Sequence, residues 1–85
     1  MQANHEDQSE GTCRTDDLHL AAFLWSKGIE PGLVPAGRTK VEFVFNDGAI
    51  STLLDAYVCG SARIEPLRFA AAIRELKRRA RELSR

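Results

Sequence analysis

The sequence predicts a small α+β domain in the element order αββαα, in which a two-stranded antiparallel hairpin packs against three helices. Three observations lead to this fold class: apolar residues recur at helical spacing in three segments, one short segment alternates as a strand does, and 85 residues suffice for one domain. The predicted domain covers residues 14–85. Residues 1–13 are expected to form a disordered N-terminal tail, because they contain almost no large apolar side chains.

The first helix is expected to begin at Thr15, whose hydroxyl can accept hydrogen bonds from free N–H groups of the first turn. Asp16 and Asp17 follow, where the helix dipole favours negative charge. Gly28 is placed to end the helix, because glycine readily adopts the left-handed conformation after a helix. Apolar residues surround this helix almost completely, which indicates that more than one of its faces is covered.

The hairpin is predicted mainly from the segment 40–45. Val41, Phe43 and Phe45 alternate onto one face of it, and β-branched and aromatic residues favour a half-buried strand. The preceding segment, 29–34, contains a proline and a glycine, so the length of the first strand is left open. Because an isolated hairpin is only marginally stable, the aromatic face is expected to pack against helices.

Two further helices complete the predicted domain. Asp47 is expected to cap the second helix, and Gly60 to end it. Glu65 is expected at the cap of the third helix, which begins at Pro66, because proline has no N–H to leave unpaired in a first turn. The predicted core consists of inward-facing apolar residues of all these elements: Leu18, Ala21, Leu24, Trp25, Val41, Phe43, Phe45, Leu53, Leu54, Tyr57, Phe69, Ile73 and Leu76.

Several short segments occur in a characteristic order: Thr15-Asp16-Asp17-Leu18, Leu20-Ala21-Ala22-Phe23-Leu24, Lys27-Gly28, Val41-Glu42-Phe43-Val44-Phe45, Asn46-Asp47, Ala56-Tyr57, Ala62-Arg63-Ile64-Glu65-Pro66, Phe69 and Arg74-Glu75-Leu76-Lys77. In this order they resemble a family of short bacterial and phage proteins known as domain of unknown function 5659, over roughly residues 14–80. The family carries no assigned activity, cofactor or catalytic residue. The resemblance therefore implies no functional residue in this chain.

The residues that carry chemistry predict no enzymatic activity, no cofactor and no metal site. Cys13 and Cys59 lie far apart, and His5 and His19 form no ligand set with them. Cys59 is interpreted as a buried free cysteine, and a Cys13–Cys59 disulfide is the less favoured alternative. His19 is interpreted as a surface histidine. No glycine-rich phosphate loop occurs, because the glycines stand singly at turns and helix ends.

The third helix carries the uneven part of the charge distribution. Seven basic and two acidic residues lie between Leu67 and Arg85, which gives this segment a net charge of +5 in a chain of net charge zero. One hypothesis is nucleic-acid binding, because arginine pairs well with phosphate. The plainer interpretation is a solvated helix face, with basic residues favoured near the helix C-terminus. The candidate nucleic-acid contacts are Arg74, Lys77, Arg78, Arg81 and Arg85.

The same helix suggests a second hypothesis, which is contact with a protein partner or with another copy of the chain. The apolar stripe of the helix continues through Ala80 and Leu83, where the rest of the domain is expected not to cover it. The sequence favours this accessory or protein-interaction role, because zero net charge gives no long-range attraction to a polyanion. A cytoplasmic location is expected, since no signal peptide and no apolar run long enough for a membrane span occurs.

Overall fold

The computed structural model describes residues 11–38 and 40–83 of the chain. The elements follow the order βαββαα: β1 (Thr12–Thr15), α1 (Leu18–Ser26), β2 (Gly32–Pro35), β3 (Val41–Asn46), α2 (Ile50–Cys59) and α3 (Pro66–Leu83). The α+β class and the three helices are confirmed. The predicted order αββαα and the two-stranded hairpin are wrong, because β1 adds a third strand to give an antiparallel sheet of order β1-β3-β2.

Strand β1 includes Thr12 and Cys13, which the sequence interpretation placed in the N-terminal tail before residue 14. Residues 1–10 of that predicted tail lie outside the described residues. Cys13 lies opposite Phe45 in the register and only 3% of it is exposed. Burial raises the pKa of the Cys13 thiol above its ordinary value, so this cysteine behaves as a small apolar core residue.

Strand β3 is the centre of the sheet and supplies its buried face. Phe43 and Phe45 are 4% and 0% exposed, whereas Val41 on the same face is half-buried. Helix α1 packs on β1 and against α3, and α3 also contacts β2, so these helices cover one face of the sheet. The opposite face is mixed, because Val34 and Val44 lie on it beside an ion pair between Arg14 and Glu42 at 2.8 Å.

The second edge of the sheet is β2. The N–H of Ala36 donates to the carbonyl of Lys40 at 2.9 Å, directly across the antiparallel register. Because bonded pairs alternate along such a ladder, even-numbered residues of β2 bond to β3. The backbone groups of Leu33 and Pro35 therefore point away from the sheet.

The observed core overlaps the predicted one and adds both small and large residues. Five predicted members are buried, and the other eight are partly buried and pack against the core. The sequence interpretation missed six buried apolar residues, of which one lies in β1 and two are alanines between larger neighbours. Among the described residues, the buried hydrophobic core consists of Cys13, Ala21, Ala22, Phe23, Leu24, Ile29, Phe43, Phe45, Ile50, Ala72 and Leu76.

The cap of α1 differs from the predicted one. The Oδ1 atom of Asp17 accepts from the N–H groups of His19 and Leu20 at 2.9 and 3.2 Å, so Asp17 is the N-cap. Thr15 is the last residue of β1, and its hydroxyl accepts instead from the N–H of Asp17 at 3.0 Å. The predicted Thr15 cap is wrong because that residue belongs to the sheet.

The predicted helix ends at Glu65 and Gly60 are confirmed, whereas the predicted Asp47 cap is wrong, because the N-cap of α2 is Ala49 and no side chain caps the helix there. Glu65 Oε1 accepts from the N–H of Arg68 at 2.8 Å, which caps α3. Asp47 Oδ1 accepts from the N–H of Ala49 at 2.8 Å, one residue before α2 begins, so it stabilises the turn that leads into the helix. Gly60 ends α2 with a φ of 79°, a left-handed conformation that favours glycine.

Candidate interaction surface on helix α3

Helix α3 is amphipathic over its 18 residues, and this pattern determines which side chains reach solvent. Ala72 and Leu76 are buried at 8% and 0% exposure, and Phe69 and Ile73 are half-buried beside them. Residues three and four positions apart share a helix face, so the basic residues between these apolar positions point outward. Helix α3 therefore packs on the domain through its apolar side and presents a charged surface to solvent.

Part of that charge is neutralised within the helix. Glu75 accepts hydrogen bonds from Arg78 and from Nε of Arg79, the latter at 3.0 Å. Arg78 also donates to Glu82 at 2.7 Å, so it is held by two carboxylates. These i,i+3 and i,i+4 pairs stabilise the exposed helix and reduce the positive potential at Arg78.

The same network changes the acidity of Glu75. Hydrogen bonds from Arg78 and then Arg79 lower the pKa of Glu75 from 4.5 to about 2. Because these bonds favour the charged carboxylate in the folded state, they contribute stability above the unfolded-state pKa. That contribution is lost as the pH falls towards the folded-state pKa.

A pH series therefore tests the network. The parent is expected to lose more thermal stability than Glu75→Gln between about pH 4.5 and about pH 2, because only the parent has this carboxylate to protonate. Thermal midpoints followed by circular dichroism across this range measure the difference. Asp55→Asn, which removes an exposed carboxylate on α2, is the control and is expected to follow the parent. Parallel curves for parent and Glu75→Gln would contradict the network.

The structure places the predicted nucleic-acid contacts as follows. Arg74, Lys77, Arg78 and Arg81 line one shallow depression of about 620 Å³ on the outer side of α3. The spacing of these four residues along one helix was sufficient to group them from the sequence. Arg85, the fifth predicted contact, lies outside the described residues.

The predicted protein contacts lie beside this depression. Ala80 lines a second concave surface of about 360 Å³, where the C-terminal half of α3 meets the starts of α1 and β3. We call this surface the α3 notch. Its half-buried apolar lining includes Leu18, Val41 and Ala80, and its charged lining consists of Asp16, Lys77 and Arg81. Leu83, one turn further along α3, is 39% exposed.

A third concave surface, of about 580 Å³, was not predicted from the sequence. It lies between the C-terminal end of α1 and the first half of α3, and we call it the α1–α3 cleft. The guanidinium of Arg79 lies 4.8 Å from the centre of the Trp25 ring and ties the two helices together at this point. Its lining includes Trp25, Lys27, Gly28, Arg68, Ala71 and Ala72.

Other exposed apolar residues and both cysteines are also placed by the structure. Val58 and Leu67 are 82% and 78% exposed, near the ends of α2 and α3 that face the connecting segment. Cys59 is exposed rather than buried, because it lies at the last position of α2 and outside the packed face. Both cysteines are free, and His19 is exposed as predicted. Within residues 11–38 and 40–83, no cluster of potential ligands is suited to a metal ion.

The fold and these surfaces together define a small α+β domain of two layers whose longest helix carries a charged outer side. Residues 10–82 match the family model described as Domain of unknown function (DUF5659), so the chain belongs to this family. The match confirms the resemblance found in the sequence and extends to residues of β1. No curated protein and no solved structure is significantly similar to the chain. Among the described residues, no helix has the length and apolar character needed to cross a membrane.

Proposed function

We propose that this domain is a non-enzymatic protein-interaction module that binds a partner protein at the α3 notch. The observation that supports the proposal is the combination of half-buried apolar side chains with cations at one concave surface. Leu18, Val41 and Ala80 form the apolar part, and Lys77 and Arg81 lie at its border. Interfaces of proteins characteristically have an apolar centre and a polar rim.

The chemistry of the notch indicates what kind of segment fits. An apolar side chain of the partner would remove water from Leu18, Val41 and Ala80, which the domain covers only in part. Two cations against the single carboxylate of Asp16 favour acidic residues beside that side chain. A second copy of the chain fits this surface less well, because two basic α3 surfaces would repel each other.

Nucleic-acid binding is the competing function, and the depression lined by Arg74, Lys77, Arg78 and Arg81 is the observation in its favour. Two features count against it. Arg78 is held by two carboxylates, which competes with phosphate for its donors. The net charge of the whole chain is zero, whereas nucleic-acid-binding domains usually carry a basic excess.

The proposal is tested with Ala80→Glu, which adds volume and negative charge inside the notch. Partners captured from the native cell by the parent are purified, and their affinity for parent and variant is measured by titration calorimetry. We expect affinity to fall by about tenfold or more, because the anchor site is filled and an acidic partner is repelled. The matched control is Ser51→Glu, which adds the same charge at an exposed position of α2.

Gel-shift titrations at low salt separate the competing function. Under the proposal, the parent shows no binding to DNA or RNA at micromolar concentration. Micromolar binding that collapses in Arg78→Gln/Arg81→Gln, and weakens steeply with salt, would replace the proposal with nucleic-acid recognition. A purified partner that binds parent and Ala80→Glu equally would contradict the notch as the binding site.

A further inference from the structure

The α1–α3 cleft is open because of the residues at which α1 ends. Gly28 has a φ of 99°, which lets the chain turn away from the helix axis, and a Cβ atom added there would meet nothing within 4 Å. Across the cleft, α3 presents Ala71 and Ala72, whose small side chains leave space beside Trp25. The volume of about 580 Å³ lies within the range usual for small-molecule sites.

The cleft has a surplus of positive charge. Lys27 and Arg68 both line it, and neither takes part in an ion pair among the described residues. The Lys27 ammonium lies 5.7 Å from the centre of the Phe23 ring, a contact that leaves its charge uncompensated. Glu75 also lines the cleft, but its carboxylate is bound by Arg78 and Arg79.

The end of α1 offsets this charge only in part, because the carbonyl groups of its last turn accept hydrogen bonds from the chain itself. The Ser26 hydroxyl donates to the carbonyl of Phe23 at 2.7 Å, and the N–H of Gly28 donates to that of Trp25 at 2.8 Å. The N–H of Lys27 donates to the carbonyl of Leu24 at 3.1 Å. The negative end of the helix dipole is thereby partly satisfied within the turn.

We infer that the α1–α3 cleft is a binding site for a small apolar anion, such as a carboxylate on an aromatic body. The apolar body lies against Trp25, Ala71 and Ala72, and the anionic group faces Lys27 and Arg68. Charge-assisted hydrogen bonds donated by Lys27 and Arg68 to the anionic group fix its orientation. This site is separate from the α3 notch, which shares none of these five residues.

The chain contains one tryptophan, Trp25, and its ring lines the cleft, so its fluorescence reports on occupancy. The probe is anilinonaphthalene sulfonate, and N-phenylnaphthylamine, the same apolar body without the anionic group, is its matched partner. We expect saturable one-to-one binding of the sulfonate with energy transfer from Trp25. The uncharged probe is expected to bind about tenfold more weakly, because it lacks the charge-assisted contacts.

Variants distinguish the cleft from nonspecific adsorption. Lys27→Gln and Arg68→Gln are each expected to lower the affinity for the sulfonate probe about threefold to tenfold, because each removes one cation from the site. Arg74→Gln, which removes a cation outside the cleft, is expected to leave affinity unchanged. Melts by circular dichroism establish that all three variants fold.

Amide NMR spectra of the parent provide the second readout. Shifts caused by the sulfonate are expected to centre on Trp25, Gly28 and Ala71. Equal binding of the two probes, equal weakening in Arg74→Gln, or shifts centred on Ala80 would each overturn the inference. Protein binding at the notch is tested with a different variant and a different ligand, so the two proposals succeed or fail separately.

Discussion

Replacing Phe43 with alanine is expected to lower the free energy of unfolding by about 3–5 kcal/mol, which is most of the stability of a small domain. Phe43 is 4% exposed at the centre of β3, and it pairs with Thr15 of β1 and Leu33 of β2. Truncation leaves a cavity on the buried face of the central strand. Urea denaturation followed by circular dichroism measures the change.

Val44→Ala is the matched control for this prediction. Val44 is the next residue of β3, is half-buried, and faces the opposite side of the sheet from Phe43. Its truncation is expected to cost about 1 kcal/mol or less, because less apolar surface is removed from the interior. Equal losses for the two variants would mean that the buried face of the sheet is assigned incorrectly.

Deleting residues 1–15 is expected to unfold the domain, because it removes the whole of β1. The deletion exposes one edge of β3 and uncovers Phe45, which is 0% exposed and lies opposite Cys13. The remaining β2–β3 pair is a two-stranded sheet, which is marginal without a third strand. Loss of dispersed amide NMR signals and of a cooperative melt is the expected result.

A shorter deletion of residues 1–10 is the control and leaves β1 intact. The sequence predicts that this deletion changes stability little, because the segment has almost no large apolar side chains to bury. The pair of deletions therefore isolates the contribution of Thr12–Thr15. If both deletions melt cooperatively at the same temperature, β1 does not stabilise the fold.

The parts of the fold that were predictable from sequence depend on long or strongly periodic patterns. The alternation of Phe43 and Phe45 identified the buried face of β3, and the spacing of Ile73 and Leu76 identified the inner side of α3. The Glu65 cap was predictable because it acts within one turn of its own chain. Each of these patterns is set by residues close together in the sequence, so it can be identified without knowing how the rest of the chain packs.

Strand β1 could not be predicted because its signal is not local. Its four residues, Thr-Cys-Arg-Thr, contain one apolar side chain, which is too few to show an alternating pattern. The strand forms because its backbone pairs with β3, about 30 residues further along the chain. This pairing also moved the cap of α1 from Thr15 to Asp17.

The depression on α3 and the α1–α3 cleft also differ in whether the sequence could predict them. The depression on α3 could be assembled from sequence, because Arg74, Lys77, Arg78 and Arg81 follow helical spacing. The α1–α3 cleft could not, because it depends on the packing of two helices that are distant in sequence. The contact between Trp25 and Arg79 that borders it has no signature in either helix alone.

The two prolines around β2 have a consequence for how the protein behaves at high concentration. The outward backbone positions of this edge are Leu33 and Pro35, and Pro31 precedes the strand, so Leu33 alone offers a free N–H there. A strand that tried to extend the sheet on this side would find almost no donors to bond. Pro31, which interrupted the strand pattern in the sequence, and Pro35 thus make β2 a poor template for amyloid-like growth.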